Sequence, residues 1–427
     1  MIKSSPVSKA MAQKTWNYFV KATQTPTGLP SDRIDINPDG SQTMVTQTND
    51  SNIGMYLTSI ISAQDLGIIS QQEATNRVQA LIKELRALPK YQGFFYDWYN
   101  TNTGAPNEKF VSTVDVAWLD TALITAEYAF PKLKSQLSSL SQAMDYSLLY
   151  NQSLNQLYGG YTVGTGPTGF TYGNINTETR IADYLAIGKG NVPAKLWFGV
   201  YRTLPSNWTW QQQVPAGYST TYAGTKVFEG HYTYEGITYV PSWGGSMFEA
   251  LMPTLFMNEK ALAPRALGLN DYNMVQLQVK YAQTQKYSLW GISPCATPDG
   301  GYDAFGIKEV GSANPPYDET GVITPHASFL ALQFAPQQAQ ANLTKMATEY
   351  DMVGKYGFYD SINPKTATVT HSYLALDEGM IMASLDNALD NNALMNDFNQ
   401  SSIARIPQPL LSMEKFSITA APKTKTN

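Results

Sequence analysis

The sequence of 427 residues predicts an all-α fold, an (α/α)6 toroid in which six inner helices are surrounded by six outer helices. Two observations favour this fold. Apolar residues recur with a helical period in about twelve segments, and the connections between those segments alternate between short and long. In a closed ring of helix pairs every second connection emerges at the same end, so the long connections would gather at one face. The alternative is a two-domain all-α protein with unrelated insertions.

The helices are predicted from capping signals and apolar faces. Ser70 and Glu73 have the spacing of a capping box and precede an apolar face that continues to Leu88. Ser112 and Asp115 have a similar spacing and lead into another apolar helix. The other helices are predicted at residues 9–24, 51–66, 132–150, 177–188, 194–202, 244–257, 271–284, 325–334, 337–350 and 372–390.

Six long connections separate these helices, and connections of more than about a dozen residues in a compact domain are usually functional. The fourth connection, residues 203–243, also has apolar and polar residues that alternate with period two on both sides of Glu235-Gly236. This pattern predicts a small β-hairpin insertion with that dipeptide as its turn. The long connections lie at about 25–50, 89–111, 151–176, 203–243, 285–324 and 351–371.

The chain reads as one domain, because no change of composition and no linker divides it. We expect residues 1–427 to form a single toroid with its core at about 10–400 and a loose tail after about Phe416, including Lys423 to Lys425. The segment from Met1 to Val20 has no apolar region of the kind that marks a signal peptide.

Composition excludes several classes of protein. The 29 basic and 34 acidic residues give a net charge of -5 without blocks of one sign, which argues against a nucleic-acid partner. No apolar run is long enough for a membrane span. Cys295 is the only cysteine, so no internal disulfide can form. Low charge and many tyrosines suit a bacterial periplasmic or secreted enzyme, and a cytoplasmic location stays open.

Aromatic residues are concentrated in the long connections, together with Asp, Asn and Gln. Aromatic rings stack on the faces of sugars, and these polar side chains bind sugar hydroxyls, so the mixture predicts a carbohydrate site. The competing interpretation is that many of the rings only pack the loops. The candidate substrate-binding residues are Trp98, Trp243, Trp290, Tyr302, Asp303, His326 and Tyr359.

Titratable residues lie near the start of each helix that follows a long connection. They are Asp50, Asp115, Glu178, Glu249, His326 and the pair Asp377 and Glu378. An acid in a first turn often only caps the helix.

Glu249 has apolar neighbours, which raise the pKa of a carboxyl group and suit a general acid. The alternative is a buried Glu whose partner is the backbone or an Arg. Glycoside cleavage also needs a second carboxyl group, for which the candidates are Asp115, Asp377 and Glu378.

Other chemistries find little support. The three histidines, His231, His326 and His371, are far apart in sequence, so no metal site and no cofactor are predicted. The glycines of 164–169 lack the strand and helix of a dinucleotide-binding unit, and Ser246 lacks the second glycine of a nucleophile elbow.

The segment Ser242–Pro253 resembles the signature of the bacterial glucoamylase-like family, which includes endo-β-1,2-glucanases and a domain of cyclic β-1,2-glucan synthases. The resemblance covers about residues 10–390. It implies an (α/α)6 toroid with a glucan-active site between the long loops and Glu249 as an acidic site residue. The closing helix has Glu378 and Met380 where the family pattern has Gln and Pro, which indicates a divergent branch. Further segments that agree in order are Val114–Leu119, Trp290–Gly306, Val322–His326, Tyr356–Asp360 and Tyr373–Ile381.

These observations predict a glycoside hydrolase or transglycosylase that acts on a bacterial glucan, with a β-1,2-linked glucan as the first candidate. The expected partner is an oligosaccharide or polysaccharide, and the chain is a candidate part of a larger polysaccharide-processing protein. The alternative is a non-catalytic glycan-binding or scaffold domain of a polysaccharide synthesis or export protein. A polysaccharide lyase would favour a site rich in Arg and Lys, and the long connections contain few of either.

Overall fold

A computed structural model describes residues 5–424, and their main elements are helices. Each of the twelve predicted helices has a counterpart at its predicted place. The described residues form sixteen α-helices: α1 Lys9–Ala22, α2 Asp50–Asp65, α3 Gln71–Ala87, α4 Thr113–Ala129, α5 Lys134–Gln142, α6 Arg180–Gly188, α7 Leu196–Gly199, α8 Met247–Leu251, α9 Glu259–Leu262, α10 Leu267–Thr284, α11 Pro325–Leu330, α12 Pro336–Glu349, α13 Ala375–Leu389, α14 Ala393–Gln400, α15 Ser402–Arg405 and α16 Gln408–Met413.

Three predicted helices are shorter than expected. The helix predicted at 132–150 is α5 flanked by two 3-10 turns, and those predicted at 194–202 and 244–257 are α7 and α8. Pro253 lies in the 3-10 turn that follows α8, as expected for a residue that cannot continue an α-helix. The short helices α9, α14, α15 and α16 were missed, since four to eight residues carry too little periodicity to predict.

The long connections contain short strands, which the all-α prediction did not include apart from the hairpin. Most have two or three residues, too few to show an alternating pattern in the sequence. All the pairings are antiparallel. The strands are β1 Arg33–Ile36, β2 Gln42–Met44, β3 Gln47–Asn49, β4 Lys90–Tyr91, β5 Phe94–Phe95, β6 Trp98–Asn100, β7 Phe110–Ser112, β8 Tyr150–Asn151, β9 Gln156–Leu157, β10 Gly160–Thr162, β11 Gly166–Pro167, β12 Ala216–Tyr222, β13 Thr225–Tyr234, β14 Ile237–Tyr239, β15 Cys295–Ala296, β16 Tyr302–Asp303, β17 Val353–Gly354, β18 Gly357–Phe358, β19 Ser361–Asn363, β20 Thr368–Thr370 and β21 Ser372–Leu374.

The predicted hairpin is confirmed. Strands β13 and β14 pair through Tyr234 and Ile237, and the turn residues Glu235 and Gly236 have φ of 50° and 78°. Positive φ at both central residues is the geometry of a tight hairpin turn. The sequence analysis missed β12, which pairs with residues 225–231 of β13 through a second such turn at Ala223 and Gly224.

Six helices contact one another in cyclic order. Helix α2 packs against α4 and α13, α4 packs against α6, and α11 packs against α8 and α13. The order closes between α6 and α8, where the side chain of Arg180 donates a hydrogen bond to the carbonyl oxygen of Ala250. In α2 every residue from Asp50 to Ala63 is buried, and a helix that is surrounded on all sides needs no polar face.

The chain end is packed rather than loose as far as the described residues extend. Phe416 is buried, and the backbone N–H of Ala421 donates to Asn273 of α10. The N–H of Thr424 donates to Gln276 of the same helix. The predicted loose tail is therefore wrong for residues 416–424. Lys425 and the first residues of the N-terminal segment, Met1 to Ser4, lie outside the described residues.

Every helix in the described part of the chain is too short or too polar to cross a membrane.

Four acids are crowded where α2 and α13 end. Asp65 ends α2, Asp386 and Asp390 lie at the end of α13, and Asp397 is in α14. Burial and the charges of the other acids raise the pKa of Asp65 to about 7, and burial and the charge of Asp65 raise that of Asp386 to about 8. Between their ordinary values and these raised values the folded state binds more protons than the unfolded state. Stability therefore falls as the pH rises through this window.

We expect the substitution Asp386→Asn to reduce this loss, because the amide cannot ionise. The wild-type melting temperature should fall by a few degrees more than that of the variant between pH 5 and pH 8, as measured by differential scanning calorimetry. Glu349→Gln, which changes a solvent-exposed acid of α12, is the matched control and should follow the wild type. Equal pH dependence in wild type and Asp386→Asn would contradict the raised pKa of Asp386 where α2 and α13 end.

Candidate active site

Glu178 lies two residues before α6, and its side chain is partly exposed. Burial among its neighbours, followed by the negative charges of Glu249 and Asp115, raises its pKa to about 8. A hydrogen bond from its own backbone and the charge of Arg180 act in the opposite direction and are weaker in sum. Glu178 is therefore mostly protonated at neutral pH and can donate that proton to a bound molecule.

Arg180, the first residue of α6, is completely buried and fixes the backbone next to Glu178. Its Nε and Nη2 atoms each donate to the carboxylate of Glu259 over 2.8 Å. Nη1 donates to the carbonyl oxygen of Thr177 over 2.9 Å, and Nη2 also donates to that of Ala250 over 2.7 Å. One guanidinium thus joins the segment that carries Glu178 to α8 and α9.

Glu249, the predicted general acid, is instead a buried acceptor in its own loop. Its carboxylate accepts hydrogen bonds from the backbone N–H of Gly244 and Ser246 and from the hydroxyls of Ser242 and Ser246, over 2.8–3.1 Å. Ser246 accepts in return from the N–H of Glu249, which completes a capping box at the start of α8. Burial raises the pKa of Glu249, and these donors lower it.

This arrangement favours a structural role for Glu249 over the predicted role of general acid. Its oxygen atoms face donors on the protein, so its proton, where present, is not directed at a substrate. The carboxylate holds the loop Ser242–Gly245, in which Gly245 has a φ of 82° and a side chain would meet the carbonyl of Ile307. Glu249 therefore supports the site by shaping this loop and by its charge on Glu178.

Asp115 lies in the first turn of α4 and is also occupied by donors. One oxygen accepts from Ser51 over 2.7 Å and from Asn49 over 3.3 Å, and the other accepts from Ser112. The structure brings Asp115 near Glu178, as the sequence analysis expected, and its charge contributes to the raised pKa there. Its fixed orientation makes it a supporting group.

Asp97 lies on the same side of the site as Asp115. Burial and the charge of Asp115 raise the pKa of Asp97 to about 8. Its Oδ1 atom is buried and has no hydrogen-bond partner. Asp97 is thus a second carboxyl group that is mostly protonated at neutral pH, and the sequence analysis did not single it out.

Asp377 forms a carboxyl pair with Asp360, a residue that the sequence analysis quoted only within a motif. The two side chains are hydrogen-bonded to each other, and the Ala296 N–H donates to Asp360 over 2.6 Å. Burial is the main cause that raises the pKa of Asp360 to about 6, and burial and the charge of Asp360 raise that of Asp377 well above its ordinary range. The pair therefore shares one proton at neutral pH.

His326 lies beneath this pair in the first turn of α11. Its Nδ1 atom is 3.4 Å from an oxygen of Asp377, and burial lowers its pKa to about 3, so the imidazole is neutral. With 1% of its surface exposed it cannot bind sugar hydroxyls in this conformation, which corrects the predicted role. His326, Asp360 and Asp377 each bring a ligand atom within 4.8 Å of the others, a spacing that could hold a metal ion. The sequence argument against a metal site considered only the spacing of histidines.

Glu378 points away from its neighbour Asp377. Its surroundings are Thr15 of α1 and the backbone of Gly357. Burial and the charge of Asp360 raise its pKa, and like Asp377 it is buried. Successive residues of a helix point about 100° apart, so only one of this pair can face the site. Because Glu378 faces α1, the structure favours Asp377 as the candidate base.

Tyr302 connects the two sides of the site. Tyr302 is 54% exposed, and the carboxyl groups of Asp377, Asp360 and Glu178 are all near enough to interact with its phenol group. Glu178 and the Asp360–Asp377 pair are therefore grouped around one accessible aromatic ring. Asp303 is the next residue of β16 and is exposed, so its predicted contact with substrate stays a prediction.

The remaining aromatic candidates have different positions. Trp243 is 38% exposed beside the Glu249 loop, and Trp98 is partly exposed on β6. Trp290 is buried between α10 and α12, so it cannot stack on a sugar. Tyr359 is partly exposed and packs against His371 and Tyr373, so its contact with substrate stays a prediction. The prediction for Trp290 is wrong.

Two family models match the chain. Residues 211–402 match the Glycoamylase family, described as "Putative glucoamylase". Residues 10–186 match a family described as "Protein of unknown function (DUF3131)". The first match confirms the resemblance to the glucoamylase-like family that Ser242–Pro253 predicts.

The chain is 22% identical to the cyclic beta-(1,2)-glucan synthase NdvB of Rhizobium meliloti (strain 1021), over 94% of this chain and 18% of that protein. It thus spans less than a fifth of that relative's length. An endo-beta-1,2-glucanase from Chitinophaga pinensis, in complex with sophorotriose and glucose, is similar with a TM-score of 0.73 and 16% identity, covering 94% of this chain and 96% of that one. A beta-1,2-glucanase from Parabacteroides distasonis has a TM-score of 0.75 and 16% identity, covering 95% and 60%. The chain shares the fold of these glucanases.

The different surroundings of Glu249 and Glu178 predict different losses of stability when each is replaced by Gln. Glu249→Gln should lower the free energy of unfolding by about 1–3 kcal/mol, because an amide NH2 would face donors of the loop. Glu178→Gln should lower it little or not at all, because Glu178 is already neutral at pH 7. Urea denaturation at pH 7 measures both. A stable Glu249→Gln variant would restore that residue as a candidate for the acid.

Proposed function

We propose that this protein is a glycoside hydrolase or transglycosylase that acts on a glucan, with a β-1,2-linked glucan as the first candidate substrate. The observation that carries the proposal is Glu178, a partly exposed carboxyl group whose pKa is about 8. It lies with the Asp360–Asp377 pair around the exposed ring of Tyr302. The choice of glucan is supported by the names of the similar proteins.

Glu178 is the general acid in this proposal. Cleavage of a glycosidic bond requires protonation of the leaving oxygen, and a carboxyl group that keeps its proton at neutral pH meets this need. Because the N–H and O–H donors of the loops are directed at Glu249 and Asp115 instead, the proton of Glu178 is free to be given to the substrate. The ring of Tyr302 provides a surface for a sugar between Glu178 and the second carboxyl group.

Asp377 provides the second group as a member of its pair with Asp360. The pair carries one negative charge at neutral pH, and that charge can accept a proton from water or from a sugar hydroxyl. The backbone N–H of Ala296 fixes Asp360, and the neutral ring of His326 supports Asp377 from below. If a hydroxyl of a second glucan chain takes the place of water, the same groups perform transglycosylation.

Asp97 has a similar pKa but is less suited to be the acid. The acids near Asp97 are Asp115 and Glu108. Glu178, in contrast, lies near Tyr302, which is also near the second carboxyl group. Only Glu178 therefore stands close to an accessible ring that both carboxyl groups share.

The fold supports this assignment. The cyclic order of α2, α4, α6, α8, α11 and α13 agrees with the inner ring of an (α/α)6 toroid. The first turns of five of these helices, α2, α4, α6, α8 and α13, contain acids. We further propose that the chain works as one domain of a larger polysaccharide-processing protein outside the cytoplasm, in line with its low charge and with its alignment to 18% of the synthase.

The test is a reducing-end assay on β-1,2-, β-1,3-, β-1,4-, β-1,6- and α-linked glucans. Wild type should act on one linkage, and Glu178→Gln should lower kcat by at least about 100-fold while glucan binding, followed by calorimetry, is kept. Asp97→Asn is the matched control and should lose far less. The chain lengths of the products, read by mass spectrometry, distinguish hydrolysis from transglycosylation.

Two results would contradict the proposal. Full activity of Glu178→Gln together with loss of activity in Asp97→Asn would move the acid to Asp97. Saturable glucan binding by the wild type without any new reducing ends or new chain lengths would favour a glycan-binding domain instead.

A further inference from the structure

Four aromatic rings form a continuous row on the surface, made of Tyr201, Trp208, Trp210 and Trp243. The rings of Trp208 and Trp210 are stacked at 5.9 Å, and Trp210 meets Trp243 edge to face at 6.3 Å. Tyr201 continues the row beyond Trp208 at 5.8 Å. The three tryptophans are 38–42% exposed. Three exposed indoles in one row are an unusual amount of apolar surface for a loop.

The loop that carries the row is held by buried polar side chains. Gln211 is 7% exposed, and its Nε2 atom donates to the carbonyl oxygens of Pro205 and Trp208, while its Oε1 atom accepts from the hydroxyl of Tyr232. Asn314 donates to the carbonyl oxygen of Trp210 over 2.6 Å. The rings are therefore presented in a preformed arrangement, which lowers the entropic cost of binding.

The segment that carries Trp208 and Trp210 is uncharged. Residues 203–225 contain no Lys, Arg, Asp or Glu, and their polar side chains are amides and hydroxyls. A nucleic acid or a charged peptide would require complementary charges that this segment lacks. Flat apolar rings among neutral hydrogen-bonding groups fit an uncharged polyol such as a glucan chain.

The row is continuous with the candidate active site. Trp243 precedes Gly244, whose backbone N–H donates to Glu249, and the charge of Glu249 acts on Glu178. The carbonyl oxygen of Trp243 accepts from the N–H of Ala313 over 2.8 Å, so this end of the row is fixed as well. From this end the row continues through Trp210 and Trp208 to Tyr201.

We propose that this aromatic row is an extended binding surface for a glucan chain, which holds sugar units beyond those at the reacting bond. The proposal rests on the proposed function and adds that the preferred substrate is a long chain rather than a short oligosaccharide. Each ring stacks on one face of a sugar unit, and the neutral amides of the loop bind its hydroxyls. A short oligosaccharide fills the positions next to Glu178 without reaching the row.

The experiment compares a long β-1,2-glucan with a β-1,2-linked oligosaccharide of about five units, using the full chain. The double variant Trp208→Ala/Trp210→Ala should raise KM for the long glucan about tenfold, because two stacking contacts are lost. Its kcat and KM on the oligosaccharide should stay as in wild type, which also shows that the variant is folded. The single substitution Trp210→Tyr, which keeps an aromatic ring, should keep most of the wild-type affinity for the long glucan. Tyr218→Ala, which removes an exposed ring from the neighbouring strand β12, is the control and should change neither substrate.

Failure of this proposal can be told apart from failure of the proposed function. Unchanged KM for the long glucan in the double variant overturns the row while the enzyme assignment stands. If wild type cleaves no glucan, electrophoresis in gels that contain the long β-1,2-glucan tests the row alone. Retardation of wild type but not of the double variant supports the row. Equal retardation of both proteins, or retardation of neither, overturns it. The row is also overturned if the double variant differs from wild type only in its oligomeric state.

Discussion

The buried guanidinium of Arg180 is the interaction on which the site depends. It joins the carbonyl oxygen of Thr177 to the carbonyl oxygen of Ala250 and to Glu259 of α9, so the segment around Glu178 meets two helices that lie 70 and 79 residues further along the chain. A lysine could not make these contacts, because it offers a single nitrogen atom without a fork. Burying such an ion pair contributes little net stability, and its value here is positional. Glu178 lies between Thr177 and Arg180 and has its backbone fixed by this network.

Acids near the helix starts are of two kinds, those that accept hydrogen bonds from the protein and those that do not. Asp115 and Glu249 are each surrounded by hydroxyl or backbone donors, which direct their oxygen atoms at the protein. Glu178 lacks such a set of side-chain donors and is crowded by the charges of the other two. The acids that accept hydrogen bonds thus raise the pKa of the one that does not. Capping residues and the candidate catalytic group belong to one electrostatic arrangement.

The sequence was sufficient for the scaffold and only partly sufficient for the site. Helical periodicity and Ser-x-x-Glu patterns located twelve helices, and Glu235-Gly236 located a hairpin turn, because these signals are local. Ser246 and Glu249 have the same capping pattern, so the sequence already indicated a structural role for Glu249. The sequence analysis gave more weight to its apolar neighbours.

Orientation and long-range contact could not be predicted. Nothing local distinguishes Trp290, which is buried, from Trp243, which is exposed. Likewise, the pairing of Asp360 with Asp377 joins a loop to a helix, and the residues next to either acid give no sequence signal for it. The sequence placed Glu178 among the acids near helix starts, but burial and the neighbouring acids, which raise its pKa, result from contacts that are distant in sequence.

The most direct test of this account is an infrared titration of the carboxyl groups of wild type and Glu178→Gln between pH 5 and pH 9. The difference between the two proteins isolates the C=O stretching band of one protonated carboxyl group. The account predicts that this band is present at pH 7 and disappears with a midpoint of about 8. A difference spectrum without a protonated carboxyl band at pH 7 would contradict it, because Glu178 would then have no proton to give.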